Sequence, residues 1–254
     1  MNSNIRAWLD DISTATVFLT RIPVPHRHQP PNFVRAYRAF PLLGAAIGAA
    51  IGTLDLVLLR IGLPPIAAAA LALGAGALLT GALHEDGLAD TADGFGGGRD
   101  KAGKLAVMRD SRLGTYGVLA LLTGFVAKVG ALSALSGSDV VLALIAAHAL
   151  ARAPIAVLAA VMPYARTDGL AVAAGRPDFR IALTACGVAM VIAFLALPAA
   201  SAILAIVIAA IAAASVAILA ERQIGGQTGD VLGAAEQVCE IVVLLALAAR
   251  AGQV

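Results

Sequence analysis

Four carboxylates, Glu85, Asp86, Asp90 and Asp93, crowd into nine residues of the segment HEDGLADTADGFGGGRD (84–100). Asp86, Asp90 and Asp93 follow i, i+4, i+7 spacing, so a helix running through them projects all three from one face. Three bare carboxylates that close repel one another, and beside a bilayer the cost grows large enough to call for a cation or basic partners. Oxygen-only donors, with no His or Cys grouping beyond His84, favour Mg²⁺ or Mn²⁺ over Zn²⁺. Such an ion would take a negatively charged substrate to complete its shell. The glycines that follow, Gly94 and Gly96 to Gly98, are expected to bring backbone N–H groups up to an anion. Arg99, Lys101, Lys104, Arg109 and Arg112 come next. Of these, Lys101, Lys104, Arg109 and Arg112 read as phosphate-facing cations on a helix beyond a flexible loop. GRDKAGK (98–104) has phosphate-loop spacing, but Leu105 replaces the metal-binding Ser or Thr and no strand precedes it.

A second polar patch, GGQTGDVLGAAEQVCE (225–240), has the same character. Asp230 suits a helix N-cap. Glu236 and Glu240, one turn apart inside an apolar helix, predict either a second wall of the same cavity or partners for Arg152. His148 is expected to be a hydrogen-bonded interior histidine, and Lys128 to reach the far end of its span.

The elements that must position these groups are membrane helices. The chain is 60% hydrophobic and 13% charged, with a mean hydropathy of +0.89, which excludes an ordinary soluble domain. No cleavable signal peptide is expected. Cys186 and Cys239 fall in apolar segments and read as packing residues, neither a disulfide nor a metal site. Segments of about 20 apolar residues lie at 41–60, 64–83, 114–135, 139–161, 181–197, 199–219 and 231–250. The fifth and sixth meet at Pro198, as a tight hairpin or a re-entrant pair, so a six-span count stays open. The expected fold is an all-α polytopic membrane bundle of about seven helices, in a single domain over 1–254.

Fourteen of the 18 Lys and Arg residues fall before the first span or in the segments 84–113, 162–180 and 220–230. The positive-inside bias therefore makes those segments and the N-terminus cytoplasmic. Within the leader, 1–40, the residues Ile5, Trp8, Leu9, Ile12 and Leu19 recur at helical spacing. Arg6, Asp10 and Asp11 stand opposite them, which predicts an amphipathic interfacial helix ended by Pro23 and Pro25. Phe33, Tyr37 and Phe40 read as an interface anchor. Gly44, Gly48 and Gly52 predict close helix packing.

These pieces, in this order, resemble one family. LTRIPVP, FPLLGAAIG, HEDGLADTADGFGGG, VMRDSRLGTYG and GGQTGDVLGAAEQ are similar to the motifs of the cobalamin synthases, the adenosylcobinamide-GDP ribazoletransferases of the bacterial inner membrane. The likeness runs over about residues 18–245. It implies a Mg²⁺-dependent transfer of adenosylcobinamide-GDP to α-ribazole or its 5′-phosphate, with release of GMP. It also implies a cytoplasmic active site and no nucleic-acid partner, and leaves the oligomeric state open. On that basis Asp86, Asp90 and Asp93 are expected to bind Mg²⁺, with Glu85 as a fourth ligand. One acid of the cluster, Asp93 for instance, could instead be the general base. Lys104, Arg109, Asp110 and Arg112 would meet the diphosphate, and Asp230 and Glu236 would help close the site. Two other classes make different predictions. A transporter predicts midplane polar residues and an inverted repeat, and neither is visible. A CDP-alcohol phosphotransferase predicts D-G-x-x-A-R, where this chain has Asp90 in place of the Arg.

Overall fold

The computed structural model describes residues 3–24 and 32–251, within which every helix or strand element is a helix. Pro25, assigned above to the end of the first helix, and Arg27 of the basic leader lie outside the described residues. α1 (Ser3–Leu19) stops before Pro23. Its faces divide differently from the sequence expectation. Ala15 and Leu19 are buried, with Trp8 and Ile12 against the same core, while Ile5 and Leu9 are about half exposed. Asp11, expected on the outer polar side, is buried and accepts 2.6 Å bonds from Arg35 Nε and Arg38 Nε. The inward carboxylate is tolerated because two guanidiniums come with it.

α2 (Phe33–Ala36), a 3-10 turn (Tyr37–Ala39) and α3 (Phe40–Arg60) form one helical run from 33 to 60. Phe18 of α1 meets Phe33 and Phe40 with ring centroids 5.8 and 5.6 Å apart. Tyr37 and Phe40 are buried. The aromatic stripe is thus an internal seam between α1 and α3, not an interface anchor.

α4 (Pro65–Thr80) and α5 (Leu83–Gly97), the helix that carries the aspartates, are separate elements. Gly81 (φ 68°) and Ala82 (φ 54°) both adopt the left-handed conformation and turn the chain by 92°. That conformation is ordinary for glycine but costs an alanine roughly 1–2 kcal/mol. α5 consequently lies across α4, and its polar sequence sets it apart from the apolar spans.

The rest of the chain continues as α6 (Lys101–Val107), α7 (Thr115–Ala134), α8 (Ser138–Val161), α9 (Leu170–Ala174), α10 (Phe179–Ala196), α11 (Ala199–Ile224) and α12 (Gly229–Ala251). Among the described residues six helical runs are long and apolar enough to cross a membrane, the 33–60 run, α7, α8, α10, α11 and α12. The bent α4–α5 pair would make a seventh. α10 and α11 qualify separately and meet at Leu197 and Pro198 as a tight hairpin.

α8 runs through the interior, with α3, α10 and α12 around it. Gly44, Gly48 and Gly52 face it, as their spacing predicts. A Cβ on Gly48 would stand 2.3 Å from the Leu144 carbonyl oxygen, so only a hydrogen fits. Gly74 of α4, by contrast, has nothing within 4 Å of a built Cβ. Gly48→Ala is therefore expected to lower the thermal midpoint of the detergent-purified protein by several degrees. Gly74→Ala, which only removes backbone entropy, should leave it unchanged or slightly raised. Equal midpoints would show that α3 is not seated on α8 in this register.

Candidate active site

The segments 84–113, 162–180 and 220–230 converge at one end of the bundle. Residues after α8 pair with those before α12, Ala165 N donating to Gln227 O (2.9 Å) and Gln227 N to Pro163 O (2.8 Å). α5 lies against α12 and α7, and α6 against α5 and α11. Gly87 makes the α5–α12 contact close, since a Cβ there would lie 2.8 Å from Asp230 O and 3.2 Å from Gly233 Cα. The glycine of HEDG and the glycine of DVLG thus bring two backbones together, and with them Asp86 and Asp230, which line one cleft.

Asp90, one turn beyond Asp86, is half-buried beside this pair. Burial pushes its carboxyl up to about 7, and the charges of Asp86, Asp230 and Asp93 add to the shift, while Arg166 opposes it. The expected carboxylate cluster therefore exists, but Asp230 joins it from another helix. Glu85 does not: it lines a separate polar cavity with Lys128, Gln237 and Glu240. Adjacent helix residues point about 100° apart, which separates Glu85 from Asp86.

Asp93 is buried and engaged. Its Oδ2 accepts from Gly114 N (2.7 Å) and its Oδ1 from Gly117 N (2.8 Å). It serves the N-terminus of α7 as a cap supplied from another helix, where unpaired N–H groups and the helix dipole favour an anion. A Cβ on either glycine would come within 2.4 Å of that carboxylate, which accounts for both glycines of LGTYG. The glycine run after Asp93 is helical through Gly97, so its amides do not form the anion nest expected of it. Gly94 and Gly96 instead admit Met108 and the Tyr116 ring. After Gly98 the chain does fold back, and Asp100 N-caps α6 through Gly103 N (2.8 Å).

The expected cations are dispersed. Lys104 bonds Gln223 on α11. Arg112 and Asp110 pair with each other at 2.6 Å in an exposed loop, and the Arg112 side chain and amide hold the Asp110 carboxyl down to about 2. Both line a second cleft with Asp93, on the α7 side of α5. Arg109 pairs with Asp168. Asp168 lies 3.9 Å from Arg166, whose Nη2 is 3.2 Å from Asp230 Oδ2. Arg109, Asp168, Arg166 and Asp230 thus form a row of alternating charge. The sequence signalled Arg166 only as one cation of a basic loop, because its partners are distant in the chain.

Behind the cleft the polar groups are sealed in. Glu236 is fully buried, 2.7 Å from Arg152 Nη1 and 3.1 Å from His84 Nδ1. This bears out the pairing with Arg152 and removes Glu236 from the residues that can touch substrate. Glu240 meets Lys128 and His148, each at 3.1 Å, and Lys128 also donates to Gln237 (2.9 Å). Lys128 is therefore an interior cation and does not reach the membrane surface. His148 is the hydrogen-bonded interior histidine expected. Ligand atoms of His148, Glu236 and Glu240 lie within 4.8 Å of one another. Arg152 and Lys128 already balance the two carboxylates, so that group has no charge to offer a metal ion.

The cobalamin-5-phosphate synthase family model matches residues 11–248. A Bradyrhizobium diazoefficiens protein named adenosylcobinamide-GDP ribazoletransferase is 46% identical over 248 residues, 96% of this chain and 95% of its own. Proteins of the same name from Sinorhizobium medicae and Azorhizobium caulinodans are 42% and 43% identical. They cover 97% and 93% of this chain, and 98% and 94% of their own lengths. No solved structure matches this chain.

The Asp90 environment predicts an unusual pH response. Its folded value of about 7 lies above the ordinary 3.8, so between those values the native state binds more protons than the unfolded chain. Stability must then fall as pH rises through that window. In a chelating buffer the thermal midpoint is expected to drop between pH 5 and pH 8, with a flatter profile for Asp90→Asn. Parallel profiles would show that Asp90 does not carry the shift.

Proposed function

The chain belongs to the cobalamin-5-phosphate synthase family, and from that premise we propose that it is an adenosylcobinamide-GDP ribazoletransferase, a membrane transferase of cobalamin biosynthesis. The observation that carries the reading is the match over residues 11–248, which spans every polar segment of the site. The proposed reaction joins adenosylcobinamide-GDP to α-ribazole or its 5′-phosphate. A ribazole hydroxyl oxygen attacks the phosphorus attached to cobinamide, and the bond from that phosphorus to the GMP oxygen breaks. GMP leaves with the electron pair, and the hydroxyl proton passes to a carboxylate of the cluster.

Asp86, Asp90 and Asp230 suit Mg²⁺, being oxygen donors gathered where burial first, and then the neighbouring acids, raise the Asp90 carboxyl to about 7. Mg²⁺ bound there would offset the charge of the diphosphate and of these acids. Asp93, with both oxygens on backbone amides, positions α5 against α7. Arg109 and Arg166 would bind diphosphate oxygens, a reading supported by Arg166 Nη1, which is buried with no hydrogen-bond partner among the described residues. The lysine and arginine bias of the three converging segments supports a site on the cytoplasmic face of the inner membrane.

Detergent-purified protein with adenosylcobinamide-GDP, α-ribazole and Mg²⁺ is expected to release GMP in step with the joined corrinoid product. Asp86→Asn and Asp90→Asn should each slow GMP release by about 100-fold or more while the protein stays folded. No GMP from folded wild-type protein would overturn the activity. A wild-type rate in Asp90→Asn would overturn the assignment of the acids.

A further inference from the structure

The cleft that holds Asp86 and Asp230 has two chemically different kinds of lining. Those acids and His84 are charged or titratable, while Phe18, Tyr37, Leu83, Ile155 and Leu232 supply aromatic and aliphatic wall. The cavity measures about 130 Å³, below the range of sites that enclose a whole drug-sized ligand, so it suits one small group of a substrate. Among the described residues no Lys or Arg lines it, and no Asn, Gln, Ser or Thr. Arg166, which is not part of the lining, pairs with Asp230 at 3.2 Å.

These properties select among the parts of the two proposed substrates. A diphosphate needs cations, which this cleft lacks. A guanine would bury a carbonyl, ring nitrogens and an amino group against aliphatic walls, and unpaired polar groups cost heavily there. An alkylated benzimidazole is flat, apolar and nearly free of hydrogen-bonding groups, so it loses little on entering and gains contact with the aromatic wall. Its ribose, which does need polar partners, would then lie beside Asp86 and Asp230.

We propose that this cleft is the acceptor subsite: it takes the apolar aromatic base of the riboside and turns the sugar hydroxyls toward the acids. The inference rests on the proposed ribazoletransferase reading and deepens it. The small residues of α9 shape the cavity. Ala171 and Ala174 line it and are buried, so a larger side chain there would occupy the volume of the base. Leu83, at the start of α5, contributes apolar wall.

Two variants test the assignment, Ala174→Phe, which fills the cleft, and Leu83→Gln, which keeps volume but makes the wall polar. Each is expected to raise KM for α-ribazole and for its 5′-phosphate at least 10-fold, with KM for adenosylcobinamide-GDP changed less than 2-fold. Calorimetric titration of α-ribazole into protein without the corrinoid or Mg²⁺ should show weaker binding to both variants by a similar factor. Leu83→Gln should also narrow the preference for α-ribazole over adenosine, whose base has a polar edge. Active variants with wild-type α-ribazole affinity and KM would overturn the subsite while leaving the activity in place. Loss of affinity for both substrates alike would also overturn it. A folded wild-type protein that makes no GMP would instead overturn the underlying reading.

Discussion

Glu236 and Glu240 set the constraint on which the arrangement depends. Two carboxylates one turn apart in an apolar helix cannot stay charged without partners, since one acid at the centre of a bilayer costs about 2.5–3.5 kcal/mol even after relaxation. Each is answered from a different helix: Glu236 by Arg152 of α8 and His84 of α5, Glu240 by Lys128 of α7 and His148 of α8. One guanidinium and one ammonium match the two carboxylates in charge. Removing one partner of such a pair costs about 3–5 kcal/mol, because the other charge is left buried alone. The pairing therefore specifies the register of α12 against three neighbours. Asp230, one and a half turns before Glu236 on the same helix, is placed by that register.

α5 is too polar to be held by hydrophobic burial alone, and other means fix it. On one side Gly87 lets its backbone touch that of α12, and close contact of this kind gains dispersion energy that bulkier residues would forfeit. On the other, Asp93 binds two amides at the start of α7, where unpaired donors would otherwise face a low-dielectric interior. At its own start, His84 meets Glu236. With three fixed points on one four-turn helix, Asp86 and Asp90 cannot swing away from Asp230. Burial and the nearness of the other acids together push the Asp90 carboxyl up.

Much of this was legible in the sequence. Hydropathy located the spans to within a few residues, because lipid demands runs of apolar helix and little else imitates them. Charge bias gathered the three polar segments on one face, and they do converge. Helical phase grouped Asp86 and Asp90 correctly. What failed was whatever depended on a partner distant in the chain. Asp11 was placed outward because nothing local shows that Arg35 and Arg38 return to it. Arg166 was one cation among several until its contact with Asp230 singled it out. The glycine run suggested a loop because glycine is a poor helix former, yet tertiary contacts with Met108 and Tyr116 keep it helical. The bend at Gly81 and Ala82 escaped notice because alanine rarely adopts the left-handed conformation.

The site also separates its charges in a way that matters for the proposed chemistry. Displacement at phosphorus needs the entering and leaving oxygens on roughly opposite sides of the atom. Asp230 stands at the junction of two environments, the cleft with its apolar wall on one side and the row Arg166, Asp168, Arg109 on the other. A donor anchored by its diphosphate on the arginine row and an acceptor anchored by its base in the cleft would meet at the acids from opposite directions. The reacting atoms would then be aligned by binding energy spent on remote parts of both substrates, the usual source of orientation in a group transfer. An isolated acidic loop could bind a cation, but only acids fixed between an apolar wall and a row of arginines can also orient the two oxygens.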